Sequence, residues 1–465
     1  MTEGRTAVRP YNNRKNMLVT LKLRFIQRRQ QLVWGVGLLL IATTFHQIKP
    51  LFTATAYDYP FSSPDNIDIT GQLEQEIAFH KNRIRQTPED GLSQAALASA
   101  YLKLARATGD ASWYLLAEQA AQQSLQKLPF NNEGAQIVQA KVAEARHDFD
   151  RAIALAHQVL TTQPYSEPAQ SILITAYLGK GNLAEAQMTA NNLVQQVPTL
   201  GTLTLRGLVN VAQGKDAAAI QDFVTALNAE EPQEAGSSAW TRTLMGRFYA
   251  SRGDYQTARQ LYQEALEILP RYPLALVQMA HLDTRQGHYR LAKRLYSKVF
   301  ISPDYPNVWD HVALQGMAQV AALQGNDSES QTLWQQAEDQ FRQHEDLDTF
   351  GHRRALAQLL LARGNRGDLS EALALMVADL DVRQDAETLD TYAWALMRLG
   401  RWQDAQQVLQ TAIEQGTRSA IVFYRAALIE QQLGNEATAQ QYFKDVQTID
   451  PTFSQRDQKM WGLIL

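Results

Sequence analysis

GDYQTARQLYQEALEILP, residues Gly253 to Pro270, opens on a glycine, closes on a proline and contains no catalytic constellation. Its apolar residues Tyr255, Ala258, Leu261, Tyr262, Ala265, Leu266 and Leu269 follow one another at intervals of three, three, one, three, one and three. That is the stripe of an amphipathic helix, which has to bury one face against something. Gly253 can adopt the left-handed conformation that ends a preceding helix, and Asp254 can cap the next. Upstream, Met245, Phe248 and Tyr249 mark the inner face of that first helix. Small Gly246 and Ala258 let the two backbones approach, while Tyr249 and Tyr262 fill the space around the crossing. Pro270 stops the second helix, because it has no N–H to donate and its ring clashes with the preceding turn.

The same plan recurs. Alanines equivalent to Ala258 stand at Ala152, Ala186, Ala219, Ala292, Ala372, Ala405 and Ala439, giving successive intervals of 34, 33, 39, 34, 80, 33 and 34. The interval of 80 is expected to hold two further units, one degenerate and centred near Ser330. Prolines keep the beat at Pro129, Pro164, Pro198, Pro232, Pro270, Pro303 and Pro451. A fixed period of this length means a repeat array, in which each unit buries its stripe only against its neighbours.

In Gly246, Tyr249, Gly253, Tyr255, Ala258, Tyr262, Ala265 and Pro270 the stretch resembles the tetratricopeptide repeat. The resemblance returns in register through Tyr177, Gly181, Ala186 and Pro198, and again through Gly434, Ala439, Phe443 and Pro451. It implies an all-α fold, a right-handed superhelical solenoid of about ten helix-turn-helix repeats over roughly residues 91 to 453. IAFHKNRIRQTPED reads as a preceding half-unit, RATGDAS as an insertion in the first unit, and residues 311 to 385 match poorly. SQRDQKMWGLIL reads as a capping helix with Trp461 on its inner face.

The N-terminus has a different composition. Residues 1–31 hold eight Lys or Arg against one Glu, and the remainder holds 36 basic and 47 acidic residues. Then comes LVWGVGLLLIATTF, a run of 14 uncharged residues from Leu32 to Phe45. Three readings fit: an uncleaved signal-anchor helix, a signal peptide cleaved near Ala56, and a buried helix of a soluble protein. The first is favoured, because Trp34 and the cluster Arg24, Arg28, Arg29 suit an interfacial boundary and place the N-terminus in the cytoplasm. The expected organisation is a basic segment over 1–31, a transmembrane signal-anchor over 32–52, a linker over 53–67 and the solenoid over 68–465. The repeats would lie outside the cytoplasm of a bacterial cell as part of a single-pass membrane protein, or be secreted or periplasmic after cleavage.

Composition removes several function classes. There are no cysteines, which excludes disulfides, thiolate metal sites and cysteine nucleophiles. The acidic balance of the repeats argues against nucleic acid as a partner. His281 and His288 are seven residues apart and straddle the Gly287 turn, so one helix face cannot chelate with both. HEDLD at His344 lacks the second histidine of a zinc-protease motif. No nucleophile elbow or phosphate-binding glycine loop is present. The expectation is a protein that is not an enzyme and takes no cofactor and no metal.

In tetratricopeptide arrays the first helix of each unit lines the concave face. Carried onto this chain, the free groove positions are Lys141 and Glu144; Trp240, Thr243 and Arg247; Leu274, Val277 and His281; Gln315 and Gln319; Asp390, Trp394 and Met397; and Tyr424 and Leu428. The candidate protein-binding groove is drawn from these as Trp240, Arg247, His281, Trp394, Met397, Tyr424 and Leu428. The equivalents of the family's chaperone carboxylate clamp are Ile137, Lys141, Thr175, Gly201 and Thr204, so that clamp is not present. The resemblance implies a membrane-anchored scaffold that binds other proteins or peptide segments. The alternative is an accessory subunit of an envelope enzyme or polysaccharide-export system, with Trp240, Trp394 and Tyr424 stacking on glycan.

Overall fold

The computed structural model describes residues 68–231, 234–300, 307–343 and 352–463. All of them belong to Tyr59–Leu465, one of the two units into which the chain divides. They form 22 helices and no strand, apart from an isolated bridge between Asp110 and Asn307. A single helix, α1 (Ile69–Gln86), precedes ten helical pairs. The first five are α2 and α3 (Gly91–Thr108, Ala111–Lys127), α4 and α5 (Glu133–Ala145, Phe149–Thr162), α6 and α7 (Glu167–Gly179, Leu183–Gln196), α8 and α9 (Leu200–Ala212, Asp216–Asn228), and α10 and α11 (Ala235–Ser251, Tyr255–Ile268). Then come α12 and α13 (Pro273–Gln286, Tyr289–Ser297), α14 and α15 (Asp310–Leu323, Asp327–Gln343), α16 and α17 (Arg353–Arg363, Arg366–Leu380), α18 and α19 (Ala386–Arg398, Trp402–Glu414), and α20 and α21 (Ala420–Gln432, Glu436–Ile449). A short helix, α22 (Gln455–Met460), closes the array.

The fifth pair shows why the sequence folds this way. Gly253 has φ +78°, and Asp254 accepts a hydrogen bond from the Thr257 N–H at 3.1 Å, so α10 stops and α11 starts where expected. Ala258, Leu261, Tyr262 and Ala265 are fully buried. A Cβ on Gly246 would lie 2.6 Å from the Tyr262 ring, and one on Gly207 would lie 3.0 Å from Phe223. The small residue is therefore the seat of the aromatic ring from the second helix. Each such ring contributes about 1.5–3 kcal/mol of burial, realised only in the stacked array.

One expectation changes in detail: the interval of 80 between Ala292 and Ala372 holds one complete further pair, α14 and α15, where two units were expected. Ser330 occupies the alanine slot of that pair, buried, with its hydroxyl donating to Ala318 O at 2.9 Å. The insertion in the first unit is absorbed by lengthening α2 to 18 residues.

The single-pass membrane localisation is also corrected: among the described residues, no helix is long and apolar enough to cross a membrane. The longest, α1 and α2, have 18 residues: α1 carries five charged side chains, and α2 carries Lys103 and Arg106 among Ser, Gln and Thr. The segments expected at 1–31, 32–52 and 53–67 lie outside the described residues.

Pairs far apart in sequence touch. The turn inside each of several early pairs meets the loop that closes the fifth pair after it. Thr108 O accepts from Asn307 Nδ2 at 2.8 Å, and Gly109 O from the Val308 N–H at 2.9 Å. Gly179 O accepts from the Gln384 N–H at 3.0 Å, Asp216 pairs with Arg418 at 3.5 Å, and Thr452 bonds the Tyr255 hydroxyl at 2.7 Å. Ile69 of α1 obeys the same rule, packing on the cluster that contains Leu269 and Tyr272. The array thus winds back so that its second coil rests on its first.

Candidate functional site: the inner face of the coil

The first helix of each pair carries the groove positions, and the structure divides them into spent and available. Trp394 and Met397 on α18 are spent, at 7% and 3% exposed. Met397 packs with Leu396, Leu409 and Ile429. The Arg425 guanidinium lies 4.9 Å from the Trp394 ring centroid and donates to Asp390 at 2.7 Å, and Gly462 presses on the same ring. Thr243 and Val277 are buried too, with the Thr243 hydroxyl donating to Ala239 O.

Available surface lies elsewhere. Trp240, His281, Tyr424 and Leu428 are half-buried and Arg247 is exposed. Trp240 rests against the cluster of Ile174, Leu205 and Val209. Tyr424 packs edge-on against Phe443 at 5.2 Å and tilts against Phe453 at 5.3 Å, so its ring is braced from beneath. His281 meets Tyr296 at 5.8 Å and Trp461 at 6.1 Å, both edge-on. Trp461, expected on the capping helix, stands just beyond α22, against His281. Burial, reinforced by Arg247, pushes the His281 pKa down to about 4, so the ring is neutral at physiological pH.

Arg247 on α10 pairs with Glu387 on α18 at 3.8 Å, four pairs further along the chain. Arg354 on α16 reaches the same carboxylate at 3.4 Å and Asp385 at 3.0 Å. The Arg354 charge, against the cost of burial, holds the Glu387 pKa below the usual glutamate range. At the other end of the face, burial lowers the Lys141 pKa and raises that of Glu144. Sequence reasoning missed Arg354, Glu387 and Arg425. Arg354 falls in the poorly matching stretch, where the register needed to place it on the inner face was lost.

No group of three or more His, Asp or Glu among the described residues is placed to hold a metal ion. His288 bonds Asp283 at 3.2 Å, on the far side of the Gly287 turn from His281. His344 lies outside the described residues.

Family models described as tetratricopeptide repeat match residues 198–271, 249–309 and 393–452, so these segments are tetratricopeptide repeats. Among solved structures, the human IFIT1 dimer with m7Gppp-AAAA is 14% identical, with a TM-score of 0.46 over 81% of this chain and 86% of that one. A monomeric IFIT1 mutant with Gppp-AAAA is 13% identical, with a TM-score of 0.45 over 81% and 87% of the two chains. No curated protein matches the sequence.

Proposed function

We propose that this tetratricopeptide-repeat chain is a non-catalytic scaffold that holds a peptide segment of a partner protein on its inner face. The contact residues are Trp240, Arg247, His281, Tyr424 and Leu428. The observation that carries the reading is the Arg247–Glu387 pair, whose side chains are 59% and 52% exposed. Such a pair is worth about 0–1 kcal/mol, so it offers a partner one donor group and one acceptor group at small cost. Beside it, half-buried aromatic rings supply the anchors that recognition sites favour. Trp394 joins this surface only if Gly462 and its neighbours move away, and Met397, packed among Leu396, Leu409 and Ile429, stays part of the wall.

The test is photocrosslinking from the full chain, with the crosslinking side chain at position 240 or 424. The expected result is adducts with a discrete set of proteins, lost when Arg247→Glu is added. A control at Gln407, exposed on the second helix α19, should give none of them. Equal adducts from position 407, or adducts indifferent to Arg247→Glu, would refute the inner-face site.

A further inference from the structure

The glycines of the turns report which edge of the array is covered. In the first coil, a Cβ on Gly181 would lie 2.6 Å from Gln384 O, and one on Gly253 would lie 2.7 Å from Asp450 Oδ1. One on Gly214 would strike Gly416 O. Gly287, in the sixth pair, is met by Arg456 of α22, which follows the tenth pair. The turns of the last four pairs are different. Gly325, Gly400 and Gly434 have nothing within 4 Å, and Gly364 meets only the Arg398 side chain of its own coil. The rule of the coil sends these four turns to loops beyond the tenth pair, and no such loop is among the described residues.

The complementary edge is equally bare. The loops that close the first pairs correspond to those that seat on turns in the second coil, but nothing in the described structure lies beneath them. They carry Phe130 and Tyr165, each 78% exposed, with Leu92 beside them at 65%. These are the three most exposed large hydrophobic residues among those described. Two of the open turns present an apolar residue: Leu399 and Leu433 precede Gly400 and Gly434, while Gln324 and Arg363 precede Gly325 and Gly364.

We infer that the chain stacks head to tail on a second copy of itself, the four open turns of one copy seating on the loops that close the first four pairs of the next, 128–132 and 163–166 among them. The occupant is identified by continuity: the second copy repeats, between molecules, the turn-on-loop contact that already joins the two coils within one molecule. If α22 of one copy and α1 of the next stand in for an eleventh pair, the rule places Phe130 at the Gly325 turn and Tyr165 at the Gly364 turn. The contact is heterologous, so it does not close after two copies but continues as a fibre or ring.

The test is sedimentation velocity of the full chain across a concentration series, for wild type, the double variant Phe130→Asp with Tyr165→Asp, and the single variant Leu399→Asp. These side chains are exposed, so circular dichroism melts should match wild type. The expected result is a mass that grows with concentration for wild type, monomer for each variant, and dimer for their equimolar mixture. The mixture stops at two because only one intact loop edge and one intact turn edge can meet. Monomeric wild type at every concentration overturns the proposal. So do variants that assemble like wild type, or a mixture that stays monomeric.

Discussion

Arg285→Ala should release the C-terminal end of the array. The Arg285 side chain, 11% exposed, donates to Asp450 at 2.5 Å and to Asp457, whose carboxylates are 2% and 1% exposed. Nη1 also donates to Ala250 O at 2.9 Å, and the guanidinium lies 5.0 Å from the Tyr255 ring centroid. Although burial pulls the other way, Asp457 and Asp450 hold the Arg285 pKa above its ordinary value, so the cation is never lost. Removing one member of a buried ion pair costs about 3–5 kcal/mol, because the partner is left charged and unpaired. Here two carboxylates are stranded, which puts the variant toward the upper end. The assay is hydrogen exchange by mass spectrometry, following α22 and the last turn of α21 against α11 as internal reference. At about 1.4 kcal/mol per decade, 3 kcal/mol is a loss of protection of roughly 150-fold in α22. Adding Asp450→Asn and Asp457→Asn to Arg285→Ala should recover part of that loss. The amide oxygen introduced by Asp457→Asn can still accept from the Ser454 N–H, as the carboxylate does now, while the stranded charge is gone. Protection in α22 unchanged within about threefold refutes the clasp.

Three further expectations rest on single contacts. Asp310, buried at the start of α14 and accepting from the Asn307 N–H, has its pKa raised by burial to about 6. A raised carboxyl pKa costs stability as pH rises from 3.8 through 6, so Asp310→Asn should gain about 1–2 kcal/mol at about pH 8 and nothing at about pH 3.5, read from chemical denaturation at both. His281 behaves in the opposite sense. Its depressed pKa makes the neutral ring's contribution fully present above about 6.5 and lost as pH falls toward 4, and His281→Leu should flatten that part of the stability profile. Gly246→Val should destabilise by about 2–3 kcal/mol through collision with Tyr262, and the cost should fall when Tyr262→Leu makes room; additive effects in a double-mutant cycle would contradict the packing account.

The pairs were legible in the sequence because what specifies them is local. A stripe with helical spacing, a glycine at the turn and a carboxylate one residue later are all visible in the stretch from Gly253 to Pro270. Ser330 was placed by the period alone; that a hydroxyl is tolerated in the alanine slot, because Ala318 O receives it, is a matter of packing. The return of the second coil onto the first left no trace in the period, since it is made by atoms as far apart as Thr108 and Asn307 or Tyr255 and Thr452. That return also undid the expectation for Trp394. The family pattern puts its position on the groove, but Gly462, just after α22, lies across the ring. The capping helix was recognised from its sequence, yet nothing local says which surface it covers.

The energetics of the inner face then decide where a partner can bind. The Arg425–Asp390 pair is buried beneath Trp394, with side chains 2% and 12% exposed, and opening it would leave a charge unsatisfied at about 3–5 kcal/mol. A partner arriving there must also displace the residues after α22, held in turn by Arg285. The Arg247–Glu387 pair has no such defence: Arg354 keeps Glu387 in place, but Arg247 is hydrated already, and exchanging its partner for a carboxylate on an incoming peptide costs about 1 kcal/mol or less. Two charge pairs on one face thus have opposite roles. The buried pair fixes the wall, and the exposed pair between α10 and α18 is the one free to change partners. Arg247→Glu, which sets two carboxylates against each other, should therefore impair partner binding while leaving the stability of the array within about 1 kcal/mol of wild type.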